Sequence, residues 1–363
     1  MIGQKGVPAT YGGIERHVEE LAKGLASSGH AVRVYCRRHY TPRGARLPGV
    51  KLVRLPSVNT KHLDAITHVA LSSWHATFTD ADIIHYHALG PSSLVWLPQA
   101  FGKRTVVTVH GLDWRRAKWG PVARGFLRLG AWTATHLPAA TIVVSKTLRD
   151  YFADGGAGRL HYIPNGTPLP APAPSGPVVA RGLEPGRYLL FVGRLVPEKA
   201  VEVLLRAHRE AVPDWPLVIA GEGHFTDDYV ALCRREAGPN VHFTGAVYGA
   251  ELASLWQHAA LVVAPSALEG LSIALLEAMS FGRAVLVSDI PENLEVVAGV
   301  GQTFRAGDAA DLGERLRELL ATPERLAELG RAGRERIERD YSWEGVVRDT
   351  VRVYESVLKE SRR

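Results

Sequence analysis

Five prolines fall between Asn165 and Pro177, at positions 168, 170, 172, 174 and 177. Neither a helix nor a central strand tolerates that density, because each proline fixes φ and removes a backbone donor. The segment reads as a linker, so the chain on each side of it must fold as its own unit. Strand-like apolar runs precede it at 31–36, 50–55, 82–86, 105–109, 141–145 and 160–163. Others follow it at 188–192, 217–220, 241–244, 261–264, 284–288 and 302–304. Helical patterns separate most of these runs, a spacing that predicts an α/β fold with a doubly wound parallel sheet in each half. The expected division is 1–170, 171–342 and a closing helix over 343–363 that crosses back to the first domain. A chain of 363 residues is long enough for two such cores.

An apolar fraction of 46% and a charged fraction of 22% are those of a globular protein without membrane spans. No signal peptide is recognisable at the start, and only two cysteines occur, Cys36 and Cys233, far apart. A reducing, cytoplasmic setting is the expectation. Residues 1–175 hold 21 Lys and Arg against 9 Asp and Glu, whereas the rest holds 22 against 28. A strongly basic half faces phosphate in some form, whether nucleic acid, anionic lipid or a phosphorylated substrate.

Three stretches could bind such a group. The first is a glycine-rich loop, Gly6-Val7-Pro8-Ala9-Thr10-Tyr11-Gly12-Gly13, which leads into a helix over 14–28. The second follows the first strand beyond the linker, where Arg194 and Lys199 precede a helix over 200–211. Two cations there can neutralise a diphosphate, and arginine can engage two oxygens at once. The third is the run Pro265 to Met279, in which a strand meets a loop holding Glu269 and Gly270. A helix is expected from Leu271, with Glu277 in its second turn. Gly270 permits close backbone approach, and amides of Leu271 and Ser272 opening a helix favour an anion. Carboxylates on either side suit a ligand with hydroxyls at both ends and phosphate between them. Taken alone, each stretch is equally an ordinary surface loop with solvated charges.

Together and in this order, the motifs resemble the family 4 retaining glycosyltransferases of GT-B fold. The Gly12-Gly13 loop, Gly193-Arg194 with Lys199, and Glu-x7-Glu at 269 and 277 carry the resemblance. Val109-His110-Gly111 and Trp343 at the head of the last helix extend it over nearly the whole chain. The opening residues look like the subset containing rhamnosyltransferases and other cell-surface polysaccharide enzymes. The resemblance implies two Rossmann-like domains facing a cleft, with a nucleotide-diphosphate sugar (UDP-, dTDP- or GDP-linked) as donor. It implies that Arg194 and Lys199 hold the diphosphate, with Glu269 near the sugar. Gly270, Leu271 and Ser272 would offer amides, and Glu277 would bind ribose. Val247 would lie near the base, Gly12 and Gly13 near phosphate, and His110 against the transferred sugar. No cofactor and no metal are implied. Two departures stand out. Only Met1-Ile2 remains of the family's first strand, and position 200 is Ala where relatives usually have Gly.

Other signals carry less. Asp80-Ala-Asp82 matches a metal motif of a different glycosyltransferase fold, but lies on the amino side of a strand and reads as structural. His85 and His87 share a strand face without a third ligand at convincing spacing, so zinc is not expected. Asn165-Gly-Thr167 is a sequon without meaning in a cytoplasmic protein. No dinucleotide or P-loop fingerprint occurs. Lys103, Arg104, Arg115, Arg116, Lys118, Arg124 and Arg128 are interleaved with Trp114, Trp119, Phe126 and Trp132. That mixture fits an anionic membrane surface better than nucleic acid, for which no recognition motif is present. The expected activity is sugar transfer to a lipid-linked or polysaccharide acceptor. The rivals are a nucleotide-sugar epimerase of the same fold, a glycosidase, and a non-catalytic nucleotide- or glycan-binding module.

Overall fold

The structure, a computed structural model, describes all residues except 11, 61–62, 116–118, 154–158, 224–225 and 361–363. The chain forms two compact units, Met1–Gly166 with Trp343–Arg363, and Thr167–Ser342. The break falls a few residues before the expected 170, for a packing reason. Asn165 is buried against His17, 2.8 Å from its Nδ1, and Gly166 lies so close to the Trp343 ring that a Cβ would sit 2.9 Å from it. The prolines that follow continue as coil, as their density requires.

In the first unit, strands β1 (Val32–Arg37) and β2 (Val50–Leu55) pair in parallel. Strands β3 (Ile83–His87), β4 (Arg104–Val109), β5 (Ala140–Val143) and β6 (Leu160–Tyr162) form a second parallel set. The two-residue stub bridges them. Met1 O accepts from Tyr35 N of β1, while Ile2 N donates to His85 O and Ile2 O accepts from His87 N of β3. Ile2 is fully buried. Met1 and Ile2 together thus do the pairing of a central strand, one on each side. The helix Gly13–Ser27 buries Val18, Leu21, Ala22 and Leu25, spaced three and four apart as one helical face demands. The helix Trp343–Glu360 packs on it, Val347 beside Leu21 and Leu25. Gly24 makes the approach possible, since a Cβ there would lie 2.3 Å from Val347 Cγ2.

The second unit holds β7 (Leu189–Val192), β8 (Leu217–Ala220), β9 (Val241–Gly245), β10 (Leu261–Ala264), β11 (Ala284–Ser288) and β12 (Gln302–Phe304). All pair in parallel in the order β12-β11-β10-β7-β8-β9. Leu189, Leu190, Leu217, Val218, Leu261 and Leu286 are buried completely, as strands covered by helices on both faces must be. Among the described residues, no helix is long and apolar enough to cross a membrane.

Candidate active site

Strand β7 is first in its unit yet central in the sheet. Its successors β8 and β9 run outward on one side, and β10 to β12 on the other. The loops leaving β7 and β10 therefore start where the strand order reverses, the position at which open α/β sheets bind ligands. Both loops named by the sequence motifs leave this point.

The β7 loop carries Gly193 and exposed Arg194, then a 3-10 turn over Pro197–Lys199. It packs backbone to backbone on its neighbour, since a Cβ on Gly221 would lie 1.8 Å from Gly193 O. The β10 loop is stitched to that turn, Ala267 N donating to Glu198 O at 2.9 Å. Side chains complete the junction. Lys199 Nζ donates to Glu269 Oε1 at 2.5 Å, with the two side chains 18% and 11% exposed. Ser266 Oγ donates to the same oxygen at 2.7 Å. Ser288 Oγ in turn donates to Ser266 O, and Asn293 Nδ2 donates to Ser288 Oγ. Glu269 is thus held at the end of a bonded chain reaching back to the helix Pro291–Val297. Ser266, Ser288 and Asn293 were not foreseen from sequence.

The helix after Glu269 begins at Ile273 rather than Leu271. Ser272 is the reason: its backbone is extended and its Oγ accepts from Leu275 N, so it is the N-cap. The amides that helix geometry leaves without an intrahelical acceptor accordingly start at Ile273 and Ala274. Leu271 and Ser272 are buried and belong to the approach. Gly270 is half-buried between Glu269 and this cap, and Glu277, also half-buried, lies in the second turn. Val247 is buried after Gly245, which takes a left-handed φ of 69°. Glu222 ties that loop in by accepting from Ala246 N at 3.1 Å, while its carbonyl accepts from Leu195 N. Ala200, at the turn into the helix Val201–Ala211, has φ 47° and ψ 42°, a conformation suited to glycine.

In the first unit Gly12 caps the helix Gly13–Ser27 with a φ of 102°. A Cβ there would meet Glu15 Oε2 at 2.1 Å. Glu15 and Glu19 reach back and accept from Lys5 N and Ala9 N, so the helix holds its own entry loop. Tyr11 lies outside the described residues. His110 follows β4, half-buried, with its Nε2 3.3 Å from His87 Nδ1. The His17 ring centre is 4.7 Å from that of His110 and 5.6 Å from that of His87. Burial pushes the His17 pKa down to about 4 despite its bond to Asn165, and drives those of His85 and His87 well below the usual value. His85 is engaged at both nitrogens, by Tyr354 Oη at 2.6 Å and Thr108 Oγ1 at 2.7 Å. Spacing on one strand offered no third ligand, whereas the fold brings His17 and His110 to His87.

A cavity of about 410 Å³, lined by Met1, Arg33, Asp80, His85 and Tyr354 among others, lies at the amino ends of β1 and β3. None of the expected site residues lines it, and the carboxyl ends carry the polar chemistry. Asp80 there is exposed and pairs with Arg33 at 3.0 Å. Cys36 and Cys233 are both free and buried. In the basic stretch, Trp114 is buried against Tyr151 instead of facing outward, and Lys103 donates to Thr79 O and Ala81 O. Arg116 and Lys118 lie outside the described residues. The helix Pro121–His136 does expose Val122, Phe126, Leu129 and Trp132.

Residues 11–169 match the description Glycosyltransferase Family 4, and residues 181–336 match Glycosyl transferases group 1. The chain belongs to glycosyltransferase family 4. This family 4 chain is 29% identical over 358 residues to a phosphatidyl-myo-inositol mannosyltransferase of Mycolicibacterium smegmatis, covering 95% of this chain and 90% of that protein. Its GT-B fold superimposes on a sucrose-phosphate synthase from Thermosynechococcus elongatus with a TM-score of 0.82, at 22% identity, covering 96% and 94% of the two chains. Anabaena HepE in complex with UDP-glucose gives a TM-score of 0.79 at 16% identity, covering 97% and 98%.

Proposed function

We propose that this glycosyltransferase moves a hexose or deoxyhexose from a nucleoside-diphosphate sugar to a lipid-linked or polysaccharide acceptor, with retention and without a metal ion. The observation that carries this reading is the Lys199–Glu269 pair at the switch point of the second sheet. A lysine fixed there by a carboxylate, with Arg194 on the same loop, is poised to receive a diphosphate. The relatives' names point the same way. One is a mannosyltransferase acting on a phosphatidylinositol, and HepE is held with UDP-glucose.

In this reading, breaking the bond between the anomeric carbon and the diphosphate leaves positive charge on the sugar and negative charge on the leaving group. Arg194, Lys199 and the helix start at Ile273 stabilise the latter. Gly270, Leu271 and Ser272 shape the wall beside the phosphates, Glu269 lies near the sugar, Glu277 takes the ribose hydroxyls, and Val247 borders the base. Gly12 and Gly13 of the first unit meet phosphate, and His110 the transferred sugar. The acceptor oxygen attacks on the face the diphosphate leaves, and the departing phosphate oxygen takes the acceptor's proton. The acceptor is met at the cytoplasmic membrane face, which the exposed apolar and arginine side chains of the helix Pro121–His136 favour.

A thermal-shift screen against UDP, GDP and dTDP tests the donor site, because a ligand bound only by the folded state raises its stability. Saturating diphosphate that leaves the transition unmoved overturns the reading. Product analysis with the sugar nucleotide alone then separates transfer from epimerisation, since an epimerase needs no acceptor. Binding without turnover in the presence of acceptors would leave only a binding module.

A further inference from the structure

We propose that His17, His87 and His110 form a binding site for a transition-metal cation of the imidazole-preferring class, with Zn²⁺ as its probe. The three rings come from different elements: the first helix, the end of β3 and the residue after β4. One ring nitrogen of each lies within 4.8 Å of the other two. Tetrahedral zinc at about 2.0–2.1 Å from nitrogen sets its ligands roughly 3.3–3.4 Å apart. His87 Nδ1 and His110 Nε2 already stand 3.3 Å apart. The remaining edges are no longer than 4.8 Å, so binding requires His17 to move toward the pair.

Hydrogen bonding distinguishes this cluster from a packed set of core histidines. His17 Nδ1 is 2.8 Å from Asn165 Oδ1, so the ring donates its N–H to a carbonyl and presents the Nε2 lone pair. That is how metal-ligating histidines are oriented by their second contacts. His17 is 3% exposed, yet its Nε2 has no hydrogen-bond partner. Buried polar atoms of this kind are rare without a bound partner. His85 is excluded as a ligand because Tyr354 and Thr108 occupy both its nitrogens, but its ring lies 4.3 Å from that of His87 and steadies it. His110 is only half-buried, which leaves a side from which an ion and a water ligand can enter.

The site shares His110 with the sugar contact proposed above, but whether it binds a cation does not depend on that reading. Its consequence does. A cation held by His110 removes that imidazole from the sugar, so zinc should inhibit transfer.

The full chain, stripped with chelator and then titrated with Co²⁺ and Zn²⁺, tests the site directly. A tetrahedral Co²⁺ spectrum with single-site stoichiometry, displaced by Zn²⁺, is expected. His17→Gln and His87→Gln should each weaken binding by about 10- to 100-fold while keeping the wild-type circular dichroism. Unchanged affinity in both variants, or no binding by the wild type, overturns the proposal. Should the variants not fold, X-ray absorption of the Zn²⁺-loaded wild type decides. Three imidazole ligands at about 2.0 Å uphold the site, and a sulfur or all-oxygen shell removes it. Zinc that binds through these imidazoles without slowing transfer upholds the site and counts against the sugar contact of His110.

Discussion

Lys199 Nζ meets Glu269 Oε1 at 2.5 Å across 70 residues of chain, joining the loops that leave β7 and β10. The pair holds the lysine in place, and Ser266 shares the carboxylate. Lys199→Ala should lower turnover with the donor found by screening by about 10²- to 10³-fold, the usual loss when a preorganised charge-stabilising donor is removed. It should also destabilise the unit by about 1–3 kcal/mol, because a nearly buried carboxylate loses a partner. Steady-state kinetics and urea unfolding read the two effects separately. A Lys199→Ala or Arg194→Ala enzyme that turns over at the wild-type rate would falsify the leaving-group role.

Ala200 supplies a prediction with the opposite sign. Its φ of 47° places an L-residue in the left-handed region, where the Cβ crowds the carbonyl oxygen. Ala200→Gly removes that cost, partly offset by glycine's greater freedom when unfolded. A net stabilisation of about 1 kcal/mol follows, a rise of roughly 2–4 °C in Tm for a unit of this size. A lower Tm for the variant would show that the lost methyl packing outweighs the strain.

His68 makes the first unit sensitive to acid. It is fully buried in the helix Leu63–Thr77. Burial, aided by the Arg37 cation and opposed by the Cys36 backbone and Asp64, pushes its pKa down to about 4. Above the unfolded value of 6.5 both states are neutral, and stability is undiminished. Between 6.5 and 4 only the unfolded chain takes the proton, so stability falls on acidification by up to about 1.4 kcal/mol per pH unit. His68→Leu should flatten this slope. Urea unfolding at pH 7 and pH 5 checks it, and equal pH losses in variant and wild type would refute the assignment.

Strand spacing and the proline linker are local signals that reach as far as two parallel, doubly wound units, while the strand order within each sheet rests on long-range pairing. Ser272 was readable in principle as a cap, since serine before Ile-Ala-Leu is an N-terminal signature. The glycine before it drew the expected helix start two residues early. Trp114 was misjudged because composition cannot separate a buried indole from an interfacial one. The cluster of His17, His87 and His110 depends on long-range register, with Asn165 fixing one ring from the far end of the unit. Nothing in the spacing of 17, 87 and 110 announces it.

Chelation tests the role given to the cations. Asp80, the first acid of the Asp-Ala-Asp motif, is exposed at the amino side of β3 and bound to Arg33. If Arg194 and Lys199 take the place of a divalent ion at the diphosphate, as proposed, Asp80→Asn should leave transfer unchanged and EDTA should not lower the rate. A rate that collapses with EDTA and returns with Mg²⁺ or Mn²⁺ would contradict this.

The helix Pro121–His136 exposes Val122, Phe126, Leu129 and Trp132 at 89%, 37%, 52% and 53%. They recur three or four residues apart, so they form one stripe, with Arg124 and Arg128 exposed beside it. The opposite face is fixed to the protein, Gly130 lying so close to Leu89 that a Cβ would meet its carbonyl oxygen at 2.0 Å. A stripe of this kind sits in a lipid interface, with its arginines drawn to anionic headgroups. The chain should co-sediment with vesicles containing phosphatidylglycerol but not with pure phosphatidylcholine. Phe126→Ser with Trp132→Ser should abolish that binding at any ionic strength. Arg124→Glu with Arg128→Glu should weaken it most at low salt, where charge is least screened. Binding that ignores both pairs of substitutions would place the membrane contact elsewhere on the protein.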